Sequence, residues 1–154
     1  MSSSTTRIPL QGQFLTVGYE GRTLPEFVAL LRINRVDMLV DVRENAVSRK
    51  PGFSKRRLTE ALEDAGIEYR HEPKLGNPKD NRAGFRTGSI DQAKRRYLEH
   101  LDNGAGAVLA AVVELTVTKR VALLCFERSD AHCHRACIVD RARQSLPSLA
   151  VSRL

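Results

Sequence analysis

Short apolar runs alternate with segments of helical periodicity along most of this chain. Three of these runs have the length of buried strands: Phe14–Tyr19, Val36–Val42 and Val121–Cys125. Two weaker strand candidates are Ile67–His71 and Leu149–Leu154. Strands that alternate with helices form mostly parallel sheets with helices on both faces. We therefore predict an α/β fold, a single-domain three-layer sandwich.

Polar and flexible residues set the expected boundaries of these elements. Residues 1–13 are rich in Ser and Thr and are predicted to be a disordered tail, which leaves residues 14–154 as one α/β domain. Ser89 and Gln92 have the spacing of a capping box at the start of a helix. The segment 72–88 is rich in Pro, Gly, Asn and basic residues without periodicity, which predicts a long loop.

Composition narrows the class of partner. The chain has a formal charge of +7, which favours an anionic small molecule or a nucleic acid as partner. No apolar run approaches the ~18–20 residues that a membrane span needs, so no membrane partner is expected. The three cysteines are clustered and no apolar signal segment opens the chain, which favours a reducing, cytoplasmic setting. The oligomeric state stays open.

The segment between Cys125 and Arg135 is the richest in reactive side chains. A buried strand ends in Cys125, and after a short polar turn a helical pattern opens with Cys-His-Arg. Strand carboxyl ends and helix amino ends meet at one edge of a parallel sheet, where open α/β folds bind ligands. The candidate catalytic residues here are Cys125, Glu127, Cys133, His134 and Arg135.

Residue chemistry indicates roles within this segment. Arg135 offers a fork suited to phosphate or carboxylate, and Glu127 is a candidate acid or base. Cys133 is expected to be only modestly acidic, since nearby carboxylates oppose the helix dipole and Arg135. On a regular helix Cys133 and Cys137 lie opposite the main apolar stripe. The cysteine spacing does not match a zinc knuckle, so we expect a folded protein without a metal.

A second group of candidates stands at the end of the strand Val36–Val42. Asp41 and Arg43 follow its apolar residues directly, and both are assigned catalytic roles. Carboxyl ends of parallel strands share one edge of the sheet. We therefore expect Asp41 and Arg43 to converge with Glu127 and Arg135.

Two turns supply candidate ligand-binding residues. The loop after Arg43 is strongly basic and contains Phe53, which could stack on a nucleic-acid base. The turn after the first strand resembles a phosphate-binding turn in outline but matches neither GxGxxG nor the Walker A motif, and no cofactor is expected. The candidates from both turns are Tyr19, Glu20, Gly21, Ser48, Arg49 and Phe53.

These segments together resemble the bacterial and archaeal family known as domain of unknown function 488. The segments that carry the resemblance are TVGYEG at 16–21, LVDVR at 39–43, SRKPGF at 48–53, GIEY at 66–69, LCFE at 124–127 and CHR at 133–135. The chain departs from the family pattern at Asn77, where a second glycine usually follows Leu-Gly. The resemblance implies a compact α/β fold with a polar site built from these motifs, and it implies no activity.

Three functions stay open at this point. The first is an enzyme that binds a phosphate-containing nucleotide or nucleic acid, with Glu127 or Asp41 as acid or base. The second is a thiol- or sulfur-transfer enzyme, since LVDVR and the later strand-end Cys125 are similar to rhodanese-type sulfurtransferases; the Gly and Arg that usually shape their cysteine loop are lacking here. The third is a non-catalytic nucleic-acid-binding module that uses the basic loops.

Overall fold

The computed structural model describes residues 13–154, whose strands form one five-stranded sheet. The strands are β1 (Gln13–Gly18), β2 (Met38–Asp41), β3 (Glu68–His71), β4 (Val121–Cys125) and β5 (Ala150–Arg153). The α-helices are α1 (Leu24–Ile33), α2 (Lys55–Asp64), α3 (Arg82–Thr87), α4 (Ile90–His100), α5 (Gly106–Leu115) and α6 (Arg135–Ser145). Within this range, every helix is too short or too polar to cross a membrane.

All strand pairings in the sheet are parallel, in the order β3-β2-β4-β1-β5. Gly18 lies beside Cys125, and Asp41 lies beside Leu124, so the three central strands end at nearly the same level. Their carboxyl ends therefore share one edge, which we call the carboxyl edge of the sheet. The predicted α/β class and parallel sheet are confirmed.

The central strands feed two apolar cores because successive strand residues point to opposite faces of a sheet. On one face Leu124 packs in a cluster with Phe27 of α1. On the other face Leu123 packs in a cluster with Tyr97 of α4 and Ile138 of α6. Helices thus cover both faces, and the three-layer arrangement is confirmed.

Two boundaries differ from prediction. Gln13, assigned to the tail, is the first residue of β1, where its side-chain amide donates to Ser152 Oγ at 2.9 Å. The rest of the predicted tail, residues 1–12, lies outside the described residues. Ser89 precedes α4, but its side chain makes no capping hydrogen bond among the described residues; its ψ of 49° departs from the extended backbone of an N-cap.

The segment 72–88 is not the long loop that was predicted, since it contains two short 3₁₀ helices and α3. Asn81 fixes this segment by donating from Nδ2 to Asn77 Oδ1 at 3.0 Å and to the Ala93 carbonyl at 2.9 Å. The second bond joins residues twelve apart in sequence, so periodicity does not reveal it. Asn77 needs no left-handed backbone, because Arg35 is the only described non-glycine residue with a positive φ.

Helix α6 is buried on more sides than the helical wheel predicts. Cys133 and Cys137 were placed opposite the core, yet they are only 2% and 3% exposed. Cys133 precedes α6, which begins at Arg135, so the wheel does not apply to it. Cys137 shares a core with Tyr97 because α6 packs against α4, α5 and β4.

Candidate functional site

Asp41 and Arg43 form a buried, bidentate ion pair where β2 ends. Arg43 donates from Nε to Asp41 Oδ1 at 2.9 Å and from Nη2 to Oδ2 at 2.7 Å. Tyr69 donates to the same Oδ2 at 2.5 Å, and Arg43 Nη1 donates to the Phe53 carbonyl at 2.7 Å. Asp41 is fully buried, so its carboxylate is enclosed by these partners.

The contacts of this network shift the pKa values of Arg43 and Tyr69. Burial lowers the pKa of Arg43, but the hydrogen bonds and charge of Asp41 outweigh burial and raise that pKa above its ordinary value. Burial, followed by Asp41, raises the pKa of Tyr69, so Tyr69 remains a neutral donor near neutral pH. Both carboxylate oxygens of Asp41 are thus occupied by Arg43 and Tyr69, and its catalytic role stays a prediction.

Tyr19 and Phe53 close this network from the β1 side. The Tyr19 ring stacks on Phe53 with centroids 4.6 Å apart, and the Arg43 guanidinium lies 5.3 Å from the Tyr19 centroid. Phe53 is fully buried and also makes an edge contact with Phe27 at 5.3 Å. The basic loop folds back onto the core, so Phe53 is a core residue and is not free to stack on a base as predicted.

The loop that carries Cys133 is held by polar contacts before α6 begins. Ser129 Oγ accepts a hydrogen bond from Ala131 N at 3.3 Å, and Cys133 N donates to the Asp130 carbonyl at 3.1 Å. Arg153 of the edge strand donates to both carboxylate oxygens of Asp130, at 3.1 and 3.0 Å. Cys133 itself has an extended backbone, with φ −141° and ψ 149°.

His134 is buried, and its hydrogen bonds define where its proton lies. Its Nε2 is 2.8 Å from the Val42 carbonyl, which can only accept, so Nε2 carries a proton. Its Nδ1 is 3.4 Å from Cys133 Sγ. Nδ1 can therefore accept the thiol proton, which leaves a thiolate beside an imidazolium.

Arg135 is fully buried and acts inside the protein. Its Nε donates to Cys133 Sγ at 3.4 Å, and its Nη2 donates to the backbone carbonyl of Glu127. Its Nη1 is buried without a hydrogen-bond partner within residues 13–154. Arg135 is predicted to hold an anion from solution, but it is fully buried, and the Cys133 sulfur is one of the groups that it contacts.

These contacts lower the pKa of Cys133 and raise the pKa of His134. Burial raises the pKa of Cys133, but the neighbouring Cys125 thiol, His134 and Arg135 together outweigh burial and lower it well below its ordinary value. Burial lowers the pKa of His134, but Cys133 and the Val42 carbonyl outweigh it and raise that pKa. Cys133 is thus more acidic than the sequence predicts, because the sequence does not place the Cys125 thiol and the His134 ring beside its sulfur.

Cys125 completes a cluster of three soft donor atoms. Its Sγ, Cys133 Sγ and a His134 ring nitrogen all lie within 4.8 Å of one another. Cysteine sulfur and imidazole nitrogen are the ligands that Zn²⁺ prefers, so these residues could hold such an ion. The fold brings these residues together although their spacing in the sequence does not match a zinc knuckle. That the protein folds without a metal stays a prediction.

A cavity of about 110 Å³ opens at the carboxyl edge beside these thiols, and we call it the edge cavity. A single water needs only about 10–15 Å³ of such space, so the edge cavity has room for a small molecule. Its charged lining consists of Arg43, Glu44, Arg82, Arg86 and Glu127. Each of the three guanidinium groups has a carboxylate partner: Arg43 pairs with Asp41, Arg82 with Glu44 at 3.9 Å and Arg86 with Glu127 at 3.1 Å. An anionic ligand for the edge cavity stays a prediction.

The edge cavity brings together part of the predicted set. The predicted residues that line it are Tyr19, Arg43, Cys125, Glu127, Cys133 and His134. Those buried behind its wall are Asp41, Phe53 and Arg135. Those outside its lining are Glu20, Gly21, Ser48 and Arg49. Asp41, Arg43, Glu127 and Arg135 all lie at the carboxyl edge, while their roles stay predictions.

Arg82 and Arg86 line the edge cavity but were not predicted from sequence. They are four residues apart on α3 and so share one side of the helix. Arg82 Nε donates to the Asn77 carbonyl at 3.2 Å, and Arg86 Nη2 lies 3.1 Å from Glu127 Oε1. Their spacing of four residues, on either side of the apolar Phe85, is the sequence signal for them. This signal is informative only if segment 72–88 is recognised as helical.

Fold and site thus define a small α/β protein with a buried thiol cluster at the carboxyl edge of a parallel sheet. The sequence model of the family described as Domain of unknown function DUF488 matches residues 23–142, more than three quarters of the chain. The chain belongs to this family, so the resemblance drawn from its motifs is confirmed. Searches among curated proteins and among solved structures found no significant match.

Proposed function

We propose that this protein is a thiolate-dependent enzyme in which Cys133 is the nucleophile toward a small anionic electrophile. The observation that carries the proposal is the position of Cys133 Sγ, 3.4 Å from His134 Nδ1 and 3.4 Å from Arg135 Nε, in the lining of the edge cavity. A base beside the thiol and a fixed cation are features that activate cysteine nucleophiles.

His134 and Arg135 act through the sulfur. His134 accepts the thiol proton at Nδ1, while its bond to the Val42 carbonyl holds the ring in place. Arg135 stabilises the thiolate by its charge and its Nε donor. The amino end of α6, which begins at Arg135, adds the positive end of the helix dipole close to Cys133.

The lining of the edge cavity supports a small anion as substrate. Arg82 and Arg86 stand on α3 across from the thiols, and both are partly accessible, with 39% and 55% of their side chains exposed. Glu127 Oε2 is buried without a hydrogen-bond partner in the described part of the chain. We assign Glu127 the exchange of a proton with the substrate or the leaving group.

This proposal is favoured over a carboxylate-centred reaction on a nucleotide. Asp41 is fully buried, and its oxygens are taken by Arg43 and Tyr69. Phe53 is buried, so the nucleic-acid-binding alternative lacks the aromatic side chain that was expected to stack on a base. The thiol site has an accessible cavity, a base and a cation together.

Site-resolved alkylation tests the proposal. Limiting iodoacetamide near neutral pH, followed by peptide mass spectrometry, should label Cys133 before Cys125 or Cys137. Burial raises the pKa of Cys137 to about 11, and it does not line the edge cavity, so Cys137→Ser is the matched control and should leave labelling of Cys133 unchanged. Equal or slower labelling of Cys133 relative to the other two thiols would refute a nucleophilic role.

A further inference from the structure

We infer that Cys125 is a resolving thiol for Cys133, that the two sulfurs join in a disulfide during turnover, and that the substrate class is a small anion carrying a transferable sulfane sulfur. This inference rests on the proposed nucleophilic role of Cys133. It adds a second reactive residue, a covalent sequence and a substrate class to that role.

The placement of the two sulfurs carries the inference. They lie within 4.8 Å of each other, and both residues line the edge cavity. A disulfide requires about 2.05 Å, so bond formation needs the sulfurs to approach by less than about 3 Å. Cys133 stands in an extended connection before α6, where a small backbone and side-chain adjustment leaves the helix intact.

The two thiols are set for different roles. Cys133 Sγ lies 3.4 Å from His134 Nδ1 and 3.4 Å from Arg135 Nε, so this sulfur has a base and a fixed cation beside it. Cys125 stands at the end of β4, with its Sγ within 4.8 Å of Cys133 Sγ. We therefore assign the first attack to Cys133 and the second to Cys125.

The first step can be written for thiosulfate, the simplest anion of this class. The Cys133 thiolate attacks the sulfane sulfur, a new sulfur–sulfur bond forms at Cys133, and the bond to the sulfonate sulfur breaks. Sulfite leaves with that electron pair, and Cys133 holds an anionic persulfide. The Arg82 and Arg86 guanidinium groups lie where they can bind the sulfonate oxygens before and after this step.

The second step transfers two electrons from the protein thiols to the bound sulfur. Cys125 attacks Cys133 Sγ, the persulfide bond breaks, and hydrosulfide leaves carrying the proton of the Cys125 thiol. The products are a Cys125–Cys133 disulfide and hydrosulfide. Two equivalents of an external thiol then reduce the disulfide, which restores the Cys133 thiolate and the protonated Cys125.

Cys137 provides an internal comparison for these thiols. It is as well buried as Cys133, at 3% against 2% exposed, but it does not line the edge cavity. A reaction governed only by the presence of buried cysteines would not distinguish Cys125 from Cys137. A reaction governed by the cavity would involve Cys125 and spare Cys137.

The test is a single turnover of the reduced full-length protein with thiosulfate, with sulfite and sulfide assayed and the intact mass measured. The wild type and Cys137→Ser should release both products and lose the mass of two hydrogens as a disulfide forms. Cys125→Ser should release sulfite, gain the mass of one sulfur at Cys133 and release at least about tenfold less sulfide. Cys125→Ala repeats the test should the serine variant fail to fold.

Other outcomes separate this inference from the proposed function. If Cys133 is the fast-labelling thiol but Cys125→Ser releases sulfide like the wild type, or if thiosulfate does not react, the inference is wrong and the nucleophilic role stands. If Cys133 does not label preferentially, both fail. If the purified wild type holds one zinc per chain and Cys125→Ser holds none, the thiols are metal ligands and the inference is overturned.

Discussion

The two sides of the edge cavity are both buried and both charged, yet they are built in opposite ways. On the Asp41 side, both carboxylate oxygens accept hydrogen bonds from Arg43 or Tyr69. On the thiol side, Arg135 Nη1 and Glu127 Oε2 are buried without a partner within the described residues. A satisfied polar network fixes a structure, while unsatisfied buried groups call for a functional explanation. This contrast supports the proposal that the first side is scaffold and that the thiol side carries the chemistry.

The two sides also differ in how they respond to pH. The pKa of Arg43 is raised, so its charge persists through any ordinary pH. The charges on Cys133 and His134 instead depend on one proton that can lie on either residue. Changing the scaffold side should therefore alter stability, and changing the thiol side should alter reactivity and its pH dependence.

The largest expected effect is on stability at the Asp41 side. Asp41→Ala removes one partner of a buried ion pair and leaves Arg43 without its counter-charge, which should lower the free energy of unfolding by about 3–5 kcal/mol. Urea denaturation measures this. Glu60→Ala is the control, because its pair with Arg56 is largely exposed and should contribute at most about 0.5 kcal/mol. Similar losses of unfolding free energy in the two variants would contradict the claim that the Asp41–Arg43 pair stabilises the fold more than an exposed pair does.

The next effect is on thiol reactivity. His134→Gln keeps a donor for the Val42 carbonyl but removes the ring nitrogen that faces Cys133. The pKa of Cys133 should rise, since one of the groups that lower it is gone. Alkylation of Cys133 near pH 6.5 should slow about tenfold for each unit by which the new pKa exceeds that pH, and it should recover at higher pH. A rate that falls equally at every pH would mean that His134 affects folding or access instead of the thiolate.

A smaller effect is expected at the mouth of the edge cavity. Arg86→Gln removes one exposed guanidinium from the lining of the edge cavity. Relative to the wild type, the variant's Cys133 should therefore lose more rate with anionic iodoacetate than with neutral iodoacetamide. The ratio of the two rates should fall about fivefold, equivalent to ~1 kcal/mol. Arg56→Gln is the control, because Arg56 lies on α2 and does not line the edge cavity. An equal change in both variants would assign the preference to overall charge.

The sequence predicted the architecture because apolar periodicity records burial directly. The strands that end at Asp41 and Cys125 were recognised from their apolar runs, and parallel pairing then required their ends to meet. The helices of segment 72–88 were not predicted, because they are stabilised by contacts between distant residues, such as that between Asn81 and Ala93. Arg86 was missed as a consequence.

The candidate site was only partly predictable because burial depends on packing across elements. The residue type of Phe53 suits a stacking platform, but its ring is covered by Tyr19 and Phe27. Arg135 has the residue type of an anion fork, but its full burial directs it to Cys133. Residue type indicated which chemistry was present, and the tertiary structure decided which groups face the cavity.

The most direct measurement is a titration of the Cys133 thiolate, followed by ultraviolet absorbance as the difference between the wild type and Cys133→Ser. The pKa values of Cys125 and Cys137 are raised, so they leave the lower pH range clear. Because its pKa is lowered, Cys133 should form thiolate with a midpoint well below the ordinary thiol value of ~8.5 and lose it only at still lower pH. A midpoint at or above ~8.5 would contradict the account.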